Sequence, residues 1–167
     1  TTGLFIIDVL AIVVLATVYE SAKNIFDRRI EEEQAGLVEI AKNLLTESGG
    51  ELAIKDKSLV AGDTLVNGNN KLIDQIARIV DGEASIYQEN GPEVIRVATS
   101  RIAANSERAT GGQLDKAIED VLYGGDELRP YSTREIIDGQ PYFSRYEFLK
   151  DPTGKTVGVI QISTSTQ

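Results

Sequence analysis

ASIYQENGPEVIRVAT, residues 84–99, is the stretch whose reading decides the fold. Before it, apolar residues recur at helical spacing. Within it the period changes to two, the alternation of a chain lying in a sheet. Ala84–Gln88 reads as a strand, Asn90-Gly91-Pro92 as a turn and Glu93–Thr99 as the hairpin partner. Toward the C-terminus three more strands follow, Ser132–Ile137, Tyr142–Leu149 and Val157–Ser163. They are separated by the turn sequences Asp138-Gly139 and Asp151-Pro152-Thr153-Gly154. A helix over Gln113–Tyr123, stopped by Gly124-Gly125, falls between the two groups of strands. Toward the N-terminus the spacing predicts a short helix over Lys71–Asp81, with Leu72, Ile73, Ile76, Ile79 and Val80 inward. Asn70 is its expected N-cap and Gly82 its stop. The class is therefore α+β: an antiparallel sheet of about five strands with helices on one face and a long N-terminal helix packed beside it.

That long helix changes character along its length. Leu4–Tyr19, LFIIDVLAIVVLATVY, is apolar except for Asp8. Its 16 residues span about 24 Å at helical rise, against about 30 Å of bilayer hydrocarbon, and continuation through Ser21 and Ala22 lengthens it. From Glu20 to Thr46, Phe26, Ile30, Leu37, Ile40, Ala41 and Leu44 make one apolar stripe. Asp27, Arg28, Arg29 and Glu31–Glu33 make the opposite face, read as solvated rather than ion-binding. Ser48-Gly49-Gly50 ends the helix. Between Glu51 and Asn70, Gly62-Asp63 and Asn67-Gly68-Asn69-Asn70 cut the chain into short pieces. The expected organisation is a hydrophobic helix over residues 1–20 (filament core or membrane anchor), its amphipathic continuation over 21–48 and a globular head over 49–167.

Composition narrows the function. The chain has 167 residues, 41% of them apolar, enough for one cored domain plus the N-terminal helix. A net charge of −9 argues against a nucleic-acid partner, which calls for a basic stripe. Cys and His are both absent, which removes disulfides, thiolate chemistry, the commonest metal ligand and every Ser-His-Asp or Cys-His arrangement. GxxxxGK[ST] is absent, and Gly111-Gly112 and Gly124-Gly125 read as helix boundaries. No enzyme activity, metal or cofactor is expected.

Seven segments together carry a resemblance: LVAGDTLVNGN (59–69), ASIYQ (84–88), IRVATS (95–100), SERATGGQLD (106–115), VLYGG (121–125), DGQPYFSRYEFLKD (138–151) and GKTVGVIQIS (154–163). In this order they resemble the Cache superfamily, PAS-like extracytoplasmic sensor domains of chemoreceptors, sensor kinases and cyclases. The likeness is nearest to the single-Cache branch described as a Cache 3/Cache 2 fusion. It implies a signal-transduction or chemotaxis module with a pocket between sheet and loops that takes a small organic acid or related metabolite. The positions matching the pocket-lining segments are Tyr87, Arg96, Thr99, Arg108, Tyr142, Ser144 and Tyr146. Arginine offers a forked donor to a carboxylate, and hydroxyls complete its shell. Each has a structural alternative: Arg96 and Arg108 in ion pairs on the rim, Tyr142 and Tyr146 as core on one strand face.

The opening helix admits two readings. As a membrane anchor it carries Asp8 at about 2.5–3.5 kcal/mol if mid-membrane, less near the edge. Alternatively, TTG followed by LFIIDVLAIVVLATVY resembles the start of a type IV pilin-like protein, with Asp8 fifth after the Gly. In that family such an acid pairs with a neighbour's amino terminus as the helices bundle into a filament core. Two departures stand against this: Thr1–Gly3 are still present, and no basic residue precedes the Gly. The lack of an initiator methionine and of an apolar helix after the last strand, and the polar finish Ser163–Gln167, favour a whole small subunit. The leading expectation is thus a non-enzymatic subunit of an extracellular surface filament, self-associating through the N-terminal helix with Asp8 as its assembly residue. The alternative is a membrane-anchored sensor domain on the extracytoplasmic side of the inner membrane, a homodimer through the same helix.

Overall fold

The computed structural model describes residues 2–47 and 49–166, with side chains from Val9 onward. Helix α1 runs over Thr2–Glu47. The chain divides into two compact units, one ending at Glu33 and one beginning at Gln34.

In the first unit the apolar sequence is presented outward. Val9, Leu10, Ile12, Val13, Val14, Leu15, Val18 and Tyr19 are each more than half exposed. This is a helix long and apolar enough to cross a membrane, with an 18-residue window of mean hydropathy 1.5 and no part of that window buried. Thr17 returns its hydroxyl to the Val13 carbonyl at 2.8 Å, which hides its polarity within the helix. Further on, Arg28 and Glu32 form an exposed pair one turn apart. Asp8, the expected assembly residue, lies outside the described side chains.

The second unit is built on a five-stranded sheet. Its strands are β4 (Glu83–Asn90), β5 (Glu93–Thr99), β6 (Tyr131–Ile137), β7 (Gln140–Lys150) and β8 (Thr156–Ser165). They are ordered β5-β4-β8-β7-β6, and each neighbouring pair is antiparallel. All five strands expected from the alternation form and the class is α+β as read, but the helices do not share one face. Residues 34–47 of α1 and helix α2 (Asn70–Ile79) pack on one side of the sheet, and helix α3 (Lys116–Tyr123) packs on the other. The last strand of the sequence sits at the centre of the sheet. The β6–β7 turn is the two-residue Asp138-Gly139 loop with φ of 50° and 78°, the left-handed pair that matches strand twist.

Residues 51–70, read only as short pieces, form a second sheet of β1 (Leu52–Lys55), β2 (Ser58–Ala61) and β3 (Thr64–Leu65). Its first turn is Asp56-Lys57 at φ 49° and 65°. With neither Gly nor Asn in that turn, the hairpin carries no familiar turn sequence. Helix α2 (Asn70–Ile79) is capped by Asn69, whose side chain accepts from the Leu72 amide at 3.1 Å. The cap is thus one residue earlier than Asn70, because Asn69 is the one placed three residues before a free amide. Helix α3 (Lys116–Tyr123) is capped by Asp115, which accepts from Ala117 and Ile118. It starts three residues later than expected. Residues 111–114 instead bond along the open edge of β5, through Gly111 N to Arg96 O, Arg96 N to Gly112 O and Leu114 N to Val94 O, each 2.8 Å. Pairing that edge satisfies backbone groups a longer helix would leave open.

One face of the large sheet is apolar. Ala84, Ile86, Leu149, Ile160 and Ile162 meet Leu72, Ile73 and Ile76 of α2, Leu59 and Ala61 of β2, and Val38, Ala41 and Leu45 of α1. Residues 34–47 of α1 are held by polar ties as well. Lys42 bonds Glu147 at 2.7 Å, Arg145 bonds the same carboxylate at 2.7 Å, and Gln34 donates to the Thr164 hydroxyl. Burial by itself raises the Glu147 acid, but the hydrogen bonds and charges of Lys42 and Arg145 outweigh it and hold the group below its usual range.

Candidate functional site

The other face of the sheet carries the candidate site. Residues directly opposite on neighbouring strands share a face, so the register defines it: Thr99, Ser85, Gln161, Tyr146 and Tyr131 in one row, and Arg96, Tyr87, Val159 and Phe148 in the next. At the far end Ser163 pairs with Ser144, Ser144 with Thr133, and Tyr142 with Glu135. Strict alternation along β5 would send Arg96 and Thr99, three residues apart, to opposite sides. They share this side because the register jumps between Ile86↔Ala98 and Tyr87↔Arg96. Val97 is the extra residue of that bulge, and its carbonyl accepts from Gly68 at 2.8 Å.

Half of this face is apolar and half is a polar network. α3 covers the apolar half: Leu122, Ile118 and Tyr123 pack with Val94, Leu114, Phe148 and Val159. Tyr123 meets Phe148 edge to face at 5.1 Å and gives its hydroxyl proton to Glu89 at 2.8 Å. Its phenol is raised well above the ordinary value, first by burial and then by the Glu89 bond and charge. In the polar half, Ser85, Thr99, Ser144, Gln161 and Ser163 are each buried to within 4%. Buried polar atoms need partners, and here they supply one another.

The chain of bonds begins at Arg96. Its Nε and Nη2 donate to the Tyr87 hydroxyl oxygen at 3.1 and 2.7 Å, and Nη1 donates to the Ala109 carbonyl at 3.1 Å. Tyr87 passes its own proton to Gln161 Oε1 at 3.1 Å. Gln161 Nε2 donates to Glu135 at 3.0 Å and to Ser163 Oγ at 3.2 Å. Tyr146 donates to both Glu135 oxygens at 3.1 and 3.2 Å. Ser144 and Ser163 share a 2.6 Å bond, and Ser85 and Thr99 one of 2.8 Å. Five side chains thus link all five strands. Both inner phenols are raised above the usual tyrosine value: Tyr87 by burial, against the opposing pull of Arg96, and Tyr146 by burial reinforced by the Glu135 charge. They remain neutral donors at physiological pH.

Six of the seven expected residues, Tyr87, Arg96, Thr99, Tyr142, Ser144 and Tyr146, stand on this one face. Arg96 pairs with a tyrosine rather than an acid, and Tyr142 is half-buried at the end of the face. Arg108 is set apart from them. It forks onto Asp74 of α2 at 2.6 and 2.7 Å and donates to the carbonyls of Thr99 and Ser100 at 3.1 Å each. This is the ion-pair alternative, away from the network.

Sequence reading missed Ser85, Glu135, Gln161, Ser163 and Arg101. Gln161 and Ser163 left a trace, two polar residues at alternate positions of the otherwise apolar GVIQIS. Arg101 left none, because it follows the end of β5. Its backbone amide donates to Thr99 Oγ1 at 3.1 Å, and its Nη2 lies 3.4 Å from Asp138. Its Nε is buried without a hydrogen-bond partner. Among the described residues no cluster of three or more acids could hold a metal ion.

Among the described residues the face offers neutral phenol, hydroxyl and amide donors, the guanidinium groups of Arg96 and Arg101 and the carboxylate of Glu135, a set suited to holding a polar ligand. No curated protein matches the chain. The model of the family described as single cache domain 3 matches residues 64–167, which include the whole five-stranded sheet. The chain belongs to that family, whose domains are typically extracytoplasmic sensor modules, and here the domain follows an apolar N-terminal helix.

Proposed function

We propose that this protein is a membrane-anchored extracytoplasmic sensor domain that binds a small organic acid on the polar face of its sheet. The observation that carries the reading is the Arg96–Tyr87–Gln161–Glu135–Tyr146 chain. A buried polar network across the whole sheet costs stability that an apolar face would not, and such groups concentrate at functional sites. The outward apolar side chains of residues 9–19 support an anchor. The surface-filament reading depends on Asp8 pairing with a neighbour, and family membership lends it no weight.

Two measurements test the proposal on the full chain. Thermal unfolding with a panel of small carboxylates is expected to show stabilisation that grows with ligand concentration, about 2.7 kcal/mol at a hundredfold excess over Kd, and lost in Arg96→Ala. If no panel member raises the melting temperature, the ligand assignment fails. Electron microscopy of protein released without detergent is expected to show no polymers. Regular filaments that disappear in Asp8→Ala would replace the anchor reading with the filament one.

A further inference from the structure

We propose that Arg101 is the group that receives the ligand's carboxylate, and that Asp138 occupies its place as a displaceable internal carboxylate. This rests on the sensor reading above and names the subsite.

Hydrogen-bond accounting over the polar face singles the residue out. The Arg96 fork is spent on Tyr87 and its Nη1 on the Ala109 carbonyl. The two inner phenols, Tyr87 and Tyr146, together with Gln161 and the serines, have partners within the network. Arg101 is different. Its side chain is only 19% exposed, its Nε has no acceptor, and its Nη2 reaches Asp138 at a long 3.4 Å. Nε and Nη2 form one edge of the guanidinium, the edge that takes a carboxylate through two parallel bonds. That edge is half-empty and desolvated, a state a native fold rarely leaves unexplained.

Asp138 is a weak occupant. Its side chain is 72% exposed, so the pair is screened. It sits in the two-residue β6–β7 turn with φ of 50°, where the backbone is set by the hairpin and the carboxylate can leave by rotation about its side-chain bonds. A ligand carboxylate on the Arg101 edge would make two short bonds where one long bond exists. The Arg101 amide bonds Thr99 Oγ1, which bonds Ser85, so the residue is anchored at the end of β5 beside the polar face.

The test is thermal unfolding of the full chain in detergent with acetate, lactate, succinate and malate. Acetamide serves as the neutral isostere, phosphate as a tetrahedral anion and sodium chloride as an ionic-strength control. At least one carboxylate is expected to stabilise the wild type, acetamide and chloride are not, and Arg101→Gln is expected to weaken that carboxylate by about tenfold or more. Asp138→Asn is expected to tighten it by a few-fold, a gain that a folding defect cannot mimic. Equal carboxylate affinity in wild type and Arg101→Gln overturns the inference but leaves the sensor reading in place. Stabilisation by phosphate or acetamide alone, with no carboxylate active, overturns both this inference and the organic-acid assignment on which it rests. No response to any compound in either wild type or Asp138→Asn overturns both.

Discussion

Arg96 and Tyr87 face each other across β5 and β4, and the guanidinium carbon lies 5.1 Å from the centre of the tyrosine ring while two of its nitrogens donate to the phenol oxygen. The guanidinium fork is spent on the phenol oxygen, so Arg96 holds Tyr87 in place. Tyr87→Phe leaves that fork without its acceptor and Gln161 without its donor. Urea unfolding is expected to show a loss of about 1–3 kcal/mol, although only one oxygen is removed. A loss within experimental error would mean that the network rearranges freely.

Arg108 is expected to matter for stability and not for ligand response. It joins α2 to the end of β5 through Asp74 and two carbonyls. Arg108→Ala should cost about 1–2 kcal/mol, moderated by the partial exposure of the pair. Arg108→Lys should recover only part of this, since an ammonium cannot fork onto a carboxylate. Any carboxylate that stabilises the wild type should still shift the melting temperature of Arg108→Ala by a similar amount.

Glu147 predicts a specific acid sensitivity. Its folded acidity lies below the ordinary value of 4.5, so around that pH the unfolded chain binds more protons than the folded one. The stabilisation is complete above the unfolded value and is lost as pH falls through the folded one. Denaturant midpoints measured from about pH 7 down to pH 3 should fall less steeply in Glu147→Gln than in the wild type over the acid end. Parallel curves would show that the Lys42–Glu147–Arg145 cluster contributes nothing pH-dependent.

Gly158 tests the closeness of β8 to β4. A Cβ placed there would lie 2.1 Å from the Tyr87 carbonyl oxygen. Gly158→Ala is expected to cost about 2–3 kcal/mol by pushing the two central strands apart. Gly112→Ala, whose added carbon meets nothing within 4 Å, should stay within about 0.5 kcal/mol of wild type.

The sequence by itself determined the elements that local physics governs. Period-two alternation marked all five strands of the large sheet, Asp138-Gly139 marked a hairpin, and the apolar run from Leu4 onward marked a helix with no soluble partner of its own. It also placed six of seven candidate residues on strands that meet at one face. Tertiary structure decided what depends on distant pairing. The β1–β2 hairpin turns on Asp56-Lys57, ordinary residues held at positive φ by the pairing around them. Gln113 and Leu114 left helix α3 because the β5 edge offered backbone partners. A single extra residue, Val97, turned Arg96 and Thr99 to the same side, against the alternation of their own strand. Arg101 and Asp138, 37 residues apart in the chain, met only because sheet and loop brought them together. Periodicity is a property of neighbours along the chain, whereas the site is made by hydrogen bonds across strands, and those register shifts are set by the whole sheet.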